Sequence, residues 1–321
     1  MNGYAVETSK LTKRYRRQAR PAVDNLDLRV PQGALYGFVG PNGAGKTTIL
    51  RMLAGLLPPT AGTIRVAGHG VGSDPQAIRR AVGYMTDFFG VYHEMTAWEY
   101  LDFFCRCYKL PGRERRVVIS ELLELVGLAD KRNAEVGHLS RGMQQRLCLA
   151  HALVHNPQVL LLDEPASGLD PRARVEMREL LRELARMGKT IILSSHVLSD
   201  LAEVCTEVGI IERGRMVASG PLSQVRRQAQ AGYMLRVHVL SAPARAAELA
   251  EALPAVTDVI QLDGNGDGSG GWLEAYVGGG DDDASDLLHH LVQNGVAVAE
   301  FRQAGNELEE LFLQLTAGDG A

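Results

Sequence analysis

The stretch GPNGAGKTT, Gly40 to Thr48, constrains the fold more than any other part of the chain. It satisfies GxxxxGK[ST], follows the apolar run LYGFVG (Leu35 to Gly40) and precedes an apolar helical pattern, so it predicts strand, glycine loop and helix in succession. Glycines at Gly40, Gly43 and Gly45 let the backbone curl so that its N–H groups point inward, and the helix that follows adds its positive end to the cradle. A β- or γ-phosphate fits such a cradle. Lys46 supplies a mobile cation for the phosphate oxygens, and the Thr47 hydroxyl is a hard donor suited to Mg²⁺.

Two further apolar runs end in reactive groups: VLLLDE (Val159 to Glu164) in two carboxylates, and TIILSSH (Thr190 to His196) in a histidine. Their unbroken apolarity means that both faces are covered, as inside a helix-flanked parallel sheet. From Met1 to about Gly220 short apolar runs alternate with helical patterns, which predicts an α/β architecture. Polar residues at the carboxyl ends of such strands meet at one edge, where ligands bind. Asp163 and Glu164, side by side at a buried strand end, would repel and lose solvation unless a cation holds them. Mg²⁺ is the expected cation. Asp163 would face it directly or through water, leaving Glu164 to orient or deprotonate an attacking water.

Shortly before that strand lies LSRGMQQR, Leu139 to Arg146. Spacing alone makes it a helix capped by Ser140, with Met143, Leu147, Ala150 and Val154 on one face. Together with the glycine loop and the DE pair it resembles the LSGGQ signature of the ATP-binding cassette (ABC) family, with Arg141 in place of the first glycine and Met143 in place of the glutamine. The resemblance covers nearly the full chain. It implies a P-loop NTPase cassette, a RecA-like core with a helical subdomain at about 88–155, that binds ATP and Mg²⁺ and hydrolyses ATP. In that frame Gly40, Pro41, Asn42, Gly43, Ala44, Gly45, Lys46, Thr47 and Thr48 bind nucleotide and Tyr15 stacks on adenine. Ser140 and Gly142 receive the γ-phosphate of ATP held by a second cassette. Ser167, Gly168, Leu169 and Asp170 match the segment that contacts that cassette, and His196 matches the histidine that senses the γ-phosphate. Lys46, Asp163, Glu164 and His196 are the implied catalytic set. Asp87 stands where the family usually carries a glutamine that touches Mg²⁺ or the lytic water; a carboxylate can still serve as an oxygen donor, but it is shorter and charged.

The ending LEELFLQLT is similar to the LEDVFLxLT ending of the drug- and polysaccharide-exporting, ABC-2 type branch. That likeness implies an exporter motor, bound at the cytoplasmic face of a membrane, with a separate ABC-2 type permease and a second cassette (homodimer or heterodimer) as partners. Two other functions stay open on the sequence: a soluble ABC ATPase without a membrane partner, and a regulator that binds ATP without turnover. A formal net charge of -4 gives no global reason to bind nucleic acid, and the cluster Lys13, Arg14, Arg16 and Arg17 reads as a local contact or a solvated rim.

The 321 residues exceed what one core usually serves, so two domains are expected. Residues 1–225 form the cassette and 232–321 a smaller domain, with the boundary in the polar segment Gln224 to Gly232. Beyond it YMLRVHVL, ARAAELAEAL, TDVIQL, WLEAYV, ASDLLHHLVQ and VAVAEF read as β, α, β, β, α, β, an α+β ferredoxin-like order, followed by a helix ELEELFLQLT with an apolar stripe. Aromatic residues crowd between Phe88 and Phe104, and serve either as a permease docking surface or as helical core. Cys105, Cys107, Cys148 and Cys205 match neither a zinc spacing nor a disulfide framework. No secretory signal or run of about 18 apolar residues is present, so no membrane span is expected. DGNGDGSGGWLE, Asp263 to Glu274, has calcium-loop spacing, but its neighbours read as strands rather than helices, which favours a hairpin connection.

Overall fold

In the computed structural model, which describes residues 3–303 except 17, 19, 88, 89, 91, 230–232, 263–269, 279 and 280, the chain divides into two units, 1–222 and 223–321. Two sheets of different character build the first. Strands β1 (Tyr4–Lys13), β2 (Val23–Pro31), β4 (Ala61–Val66) and β5 (His69–Gly70) form an antiparallel sheet in the order β2-β1-β4-β5. Strands β3 (Leu35–Val39), β6 (Val82–Met85), β7 (Val159–Leu162), β8 (Thr190–Ser195), β9 (Glu207–Glu212) and β10 (Arg215–Pro221) form the other, in the order β10-β9-β3-β8-β7-β6. All neighbours in it are parallel except the hairpin β9-β10.

The parallel reading of the sequence therefore applies to β3 and β6 through β9 and not to the first strands. β2 shows why: Leu26, Leu28 and Val30 are buried and their neighbours are not, the alternation of a strand with one face on the core. By contrast every residue of β3, β7 and β8 is buried. Helix α1 (Lys46–Leu53) joins the two layers, since its Ile49, Leu50, Met52 and Leu53 share one core with Val6, Leu26 and Ile64 of the antiparallel sheet and Tyr36, Phe38 and Leu161 of the parallel one. Each such side chain contributes roughly 1.5–3 kcal/mol when fully buried. The glycine loop thus leads into a helix clamped from both sides.

Helix α2 (Pro75–Ala81) precedes β6, and the segment between β6 and β7 folds as α3 (Ala97–Cys107), α4 (Gly112–Leu125) and α5 (Arg141–Leu153). α3 starts in a reciprocal cap, Thr96 with Glu99, and α5 starts at Ser140, whose Oγ accepts the Met143 N–H at 3.3 Å. The aromatic residues divide between core and surface. Tyr100 is 1% exposed and packs edge-on to Phe104, whose ring stacks on His151 with centroids 3.5 Å apart, whereas Tyr92 and Phe103 meet on the surface. Phe88 and Phe89 lie outside the described residues. α6 (Pro171–Arg186) and α7 (Leu198–Ala202) flank β8, and α8 (Leu222–Ala229) occupies much of the polar stretch that composition marks as a boundary.

Within the second unit β11 (Tyr233–Val239), α9 (Pro243–Glu251), β12 (Val256–Leu262), β13 (Gly271–Val277), α10 (Asp281–Gln293) and β14 (Val298–Gln303) follow the β, α, β, β, α, β order. The sheet runs β12-β13-β11-β14, antiparallel throughout, and Leu235, Val237, Leu273 and Ala275 on one face pack with Ala246, Leu287 and Leu291 of the helices. Glu274, the last ligand position of the calcium-like spacing, sits on β13 and accepts from Arg236 at 2.9 Å; Asp263, Asn265 and Asp267 lie outside the described residues, as does ELEELFLQLT. Among the described residues no helix is long and apolar enough to cross a membrane. All four cysteines are free, and only Cys107 is exposed.

Burial against the aromatic rings, with His155 adding to it, pushes the His151 imidazole down from 6.5 to about 4. An unfolded chain binds that proton near the ordinary value, so unfolding takes up a proton between the two values and stability falls as pH drops through that window. His151→Leu is expected to remove about 3 kcal/mol of the loss between neutral pH and pH 4, measured by urea unfolding at several pH values. A variant whose stability declines with pH as steeply as the parent would exclude His151 as the source.

Candidate active site

Pairing in register brings three strand ends together, since Val39 lies beside Ser195 and Leu162 beside Leu193. The next residues are Gly40, Asp163 and Ser194, and they meet at the carboxyl edge of the parallel sheet. There the chain turns into α1 through Gly45, at φ 110°, where a Cβ would lie 2.5 Å from the Ala22 carbonyl oxygen. Only glycine fits. The loop is pinned from outside as well: Gly214, in the β9-β10 turn, donates its N–H to Ala44 O at 2.9 Å and accepts from Asp24 N–H at 2.8 Å.

Lys46 is 6% exposed and its Nζ donates to the carbonyls of Gly40 (2.6 Å) and Pro41 (3.3 Å), which aims the ammonium back across the loop. Its charge also lies 3.5 Å from Glu164 Oε1. The loop opens on a cavity of about 690 Å³ whose wall includes Tyr15, Gln18, Arg20, Pro41 through Thr48, Asp87, Glu164, Ser167, His196 and Arg213. The sequence-nominated residues of the core site are therefore brought to one place, with Asp163 just behind the wall.

Asp163 is 1% exposed. Its Oδ1 accepts from Ser194 Oγ (2.7 Å) and Thr47 Oγ1 (3.1 Å). Burial holds this carboxyl above the usual carboxylate range against the pull of those two hydrogen bonds, and the negative charges of Asp87 and Glu164 push in the same direction as burial. Thr47 and Asp163 are hard oxygen donors in a place where negative charge is undercompensated, so the donor set fits Mg²⁺. Glu164 leaves the strand at φ 51°, a left-handed conformation that costs a non-glycine residue of order 1 kcal/mol. Its carboxylate reaches Lys46 on one oxygen and His196 on the other, where Nδ1 stands 2.9 Å from Oε2. An ionised carboxylate only accepts, so Nδ1 carries the hydrogen and the His196 side chain, about half exposed, presents Nε2 outward.

Ser140 and Gly142 do not line this cavity. They stand at the start of α5, Ser140 exposed and Gly142 half-buried. Of the segment Ser167 to Asp170, Ser167 is on the cavity wall, Leu169 is buried, and Asp170 caps α6 through the Ala173 N–H at 2.9 Å. Sequence reasoning missed Ser194, which also accepts the Glu164 N–H at 3.0 Å and so ties the Asp163 carboxylate to the Glu164 backbone. Its signal was present: a serine inside an otherwise apolar run that must be buried needs a polar partner. Gln18, Arg20 and Arg213 carried no such mark, because they reach the cavity from loops remote in sequence.

Ser194→Ala leaves an Asp163 oxygen and the Glu164 N–H without their shared partner. It is expected to cost about 2 kcal/mol in denaturant unfolding and to lower turnover by at least about tenfold. A fully stable, fully active variant would remove Ser194 from the site.

Comparison with known proteins agrees with this geometry. Residues 23–167 match the family model described as ABC transporter. The chain is 36% identical over 314 residues, 98% of this chain and 97% of the relative, to the bacitracin transport ATP-binding protein BcrA of Bacillus licheniformis. It is 35% identical, over 97% of this chain and 92% of the relative, to the daunorubicin/doxorubicin resistance ATP-binding protein DrrA of Streptomyces peucetius. A dimeric ATP-binding cassette in a post-hydrolysis state bound to ADP and Pi superposes with a TM-score of 0.62 at 27% identity, covering 68% of this chain and 98% of that one. A buried lysine over a glycine loop, a strand-end carboxylate pair and full-length relatives converge: the chain belongs to the ABC transporter family, as one of its ATP-binding, ATP-hydrolysing cassettes.

Proposed function

We propose that this chain is the motor of an exporter: ATP closes it against a second cassette, hydrolysis releases that closure, and a separate ABC-2 type membrane permease is driven between its two facings. The observation that carries the reading is the Glu164 carboxylate held between Lys46 at 3.5 Å and His196 at 2.9 Å over the phosphate loop. Residues 1–225 are the cassette in this reading, with residues at about 88–155 as its helical subdomain, and 232–321 an accessory domain. The names of the relatives, which cover bacitracin transport and daunorubicin/doxorubicin resistance, support an export role.

Each side chain then has a task. The loop N–H groups and Lys46 bind the triphosphate, and Tyr15, which is exposed beside the cavity, offers its ring to the adenine. Thr47 and Asp163, with Asp87 nearby, would hold Mg²⁺, which neutralises charge on the phosphates. Glu164 accepts a hydrogen bond from the attacking water and takes its proton as the bond to the γ-phosphorus forms, while the leaving ADP oxygen draws charge toward Lys46. His196 orients Glu164 and faces the γ-phosphate. In this reading Ser140 and Gly142, which do not line this chain's own cavity, serve the nucleotide of the second cassette through the α5 N-terminus. The exposure of Ser140 and Arg141 supports that reading.

Glu164→Gln keeps the hydrogen-bonding shape and removes the base. It is expected to bind ATP with unchanged affinity, lose turnover by about 100-fold or more, and accumulate a nucleotide-bound dimer visible by size-exclusion chromatography. Near-parental hydrolysis would exclude Glu164 as the base. Asp87→Gln is expected to preserve ATPase activity or raise it about twofold, because it removes a negative charge that opposes ionisation of Asp163. A large loss of steady-state activity would show that the Asp87 carboxylate has a task of its own.

A further inference from the structure

Arg141 is the residue by which the signature turn departs most from the family pattern, and its side chain is turned toward its own chain. Gly168 has φ 67°, and a Cβ built there would meet the guanidinium at Cζ and at both Nη atoms, the latter at 2.5 and 2.6 Å. The Arg141 fork therefore lies across the face of Gly168 that a side chain would occupy. Four residues further along α5, on the same helix face, Gln145 is 1% exposed and its Nε2 donates to Ser167 O at 3.4 Å. Between them Gly142 packs so closely on the first turn of α6 that a Cβ would lie 2.9 Å from Ala173 Cβ. Arg146 extends the tie, with Nη2 3.4 Å from Glu176 of α6.

The start of α5 is thus joined to Ser167 and Gly168 through Gln145 and Arg141 and to α6 through Gly142 and Arg146, and Ser167 is on the wall of this chain's own cavity together with Glu164 and His196. A packed junction of this kind transmits displacement because close-packed groups have few alternative arrangements. We propose that Arg141 is a positioning residue for ATP hydrolysis: by lying on Gly168 it holds Ser167 at the cavity wall, so that contact between the α5 N-terminus and the second cassette's nucleotide sets the geometry around Glu164. This rests on the two-cassette reading above. A glycine at position 141 could not make the contact, and a lysine would lack the planar fork that covers a peptide face.

The test is a double-mutant cycle in the full chain, reading kcat and KM for ATP, with the nucleotide-trapped dimer of the Glu164→Gln background as a second readout. Arg141 is exposed, so Arg141→Ala is expected to fold with an unchanged melting temperature. It should lower kcat about tenfold while leaving KM and dimer trapping within about twofold. Gly168→Ala should be similarly impaired when Arg141 is present, and the double variant no worse than either alone. Unchanged kcat in Arg141→Ala, or strictly multiplicative losses in the double variant, would overturn the proposal. Loss of dimer trapping with a raised KM would also overturn it, by showing that Arg141 grips the second cassette's phosphate instead. An unmodified chain that hydrolyses no ATP would remove the motor reading itself, and is distinguished by failing before any variant is made.

Discussion

Everything at the site depends on a carboxylate that the fold keeps out of water. Asp163 stands at the end of a fully buried strand, and burial alone would favour its neutral form. Ser194 and Thr47 oppose that by donating to the same oxygen, one from the neighbouring strand and one from the helix after the glycine loop. Three segments far apart in the chain are therefore fixed by one atom, Oδ1. The same serine receives the Glu164 N–H, so the position of the proposed base follows from the position of the buried acid. A site built this way holds its charged groups in fixed places, and preorganised charge is what a phosphoryl-transfer enzyme has to supply.

The parts of the sequence that could be read were those in which one residue type answers one physical demand. The glycine loop, Lys46 and the DE pair were legible because phosphate, cation and strand end each restrict the choice of side chain, and the structure brings them to one cavity, with Asp163 behind its wall. The second unit was legible for a different reason: β13 alternates buried and half-buried residues without interruption, which is the period of a strand with one covered face. The antiparallel sheet was not read. β1 carries register shifts against both neighbours, and these irregularities blur its alternation. Ser194 and Gln145 were missed because their importance lies in the partner, and the partners Asp163 and Ser167 are more than 20 residues away.

The aromatic stretch shows how a composition signal can serve two ends. Tyr100 and Phe104 build a core around His151, while Tyr92, eight residues before Tyr100, and Phe103, next to Phe104, stay at the surface. Composition reports that rings are enriched; only helix phase decides which of them face inward. Ring packing also explains why the half-buried imidazole is tolerated, since in its neutral form it lays its flat face on the Phe104 ring.

The β9-β10 hairpin has a consequence for how chains of this kind can vary. Hairpin tips at a molecular surface are ordinarily where insertions are absorbed. Here the tip residue Gly214 is bonded to the phosphate loop at Ala44 and to the start of β2 at Asp24, and Arg215 next to it pairs with the Asp24 carboxylate at 2.7 Å. Lengthening that turn by a single residue would withdraw the support under the loop, so a tip that looks dispensable is closed to growth.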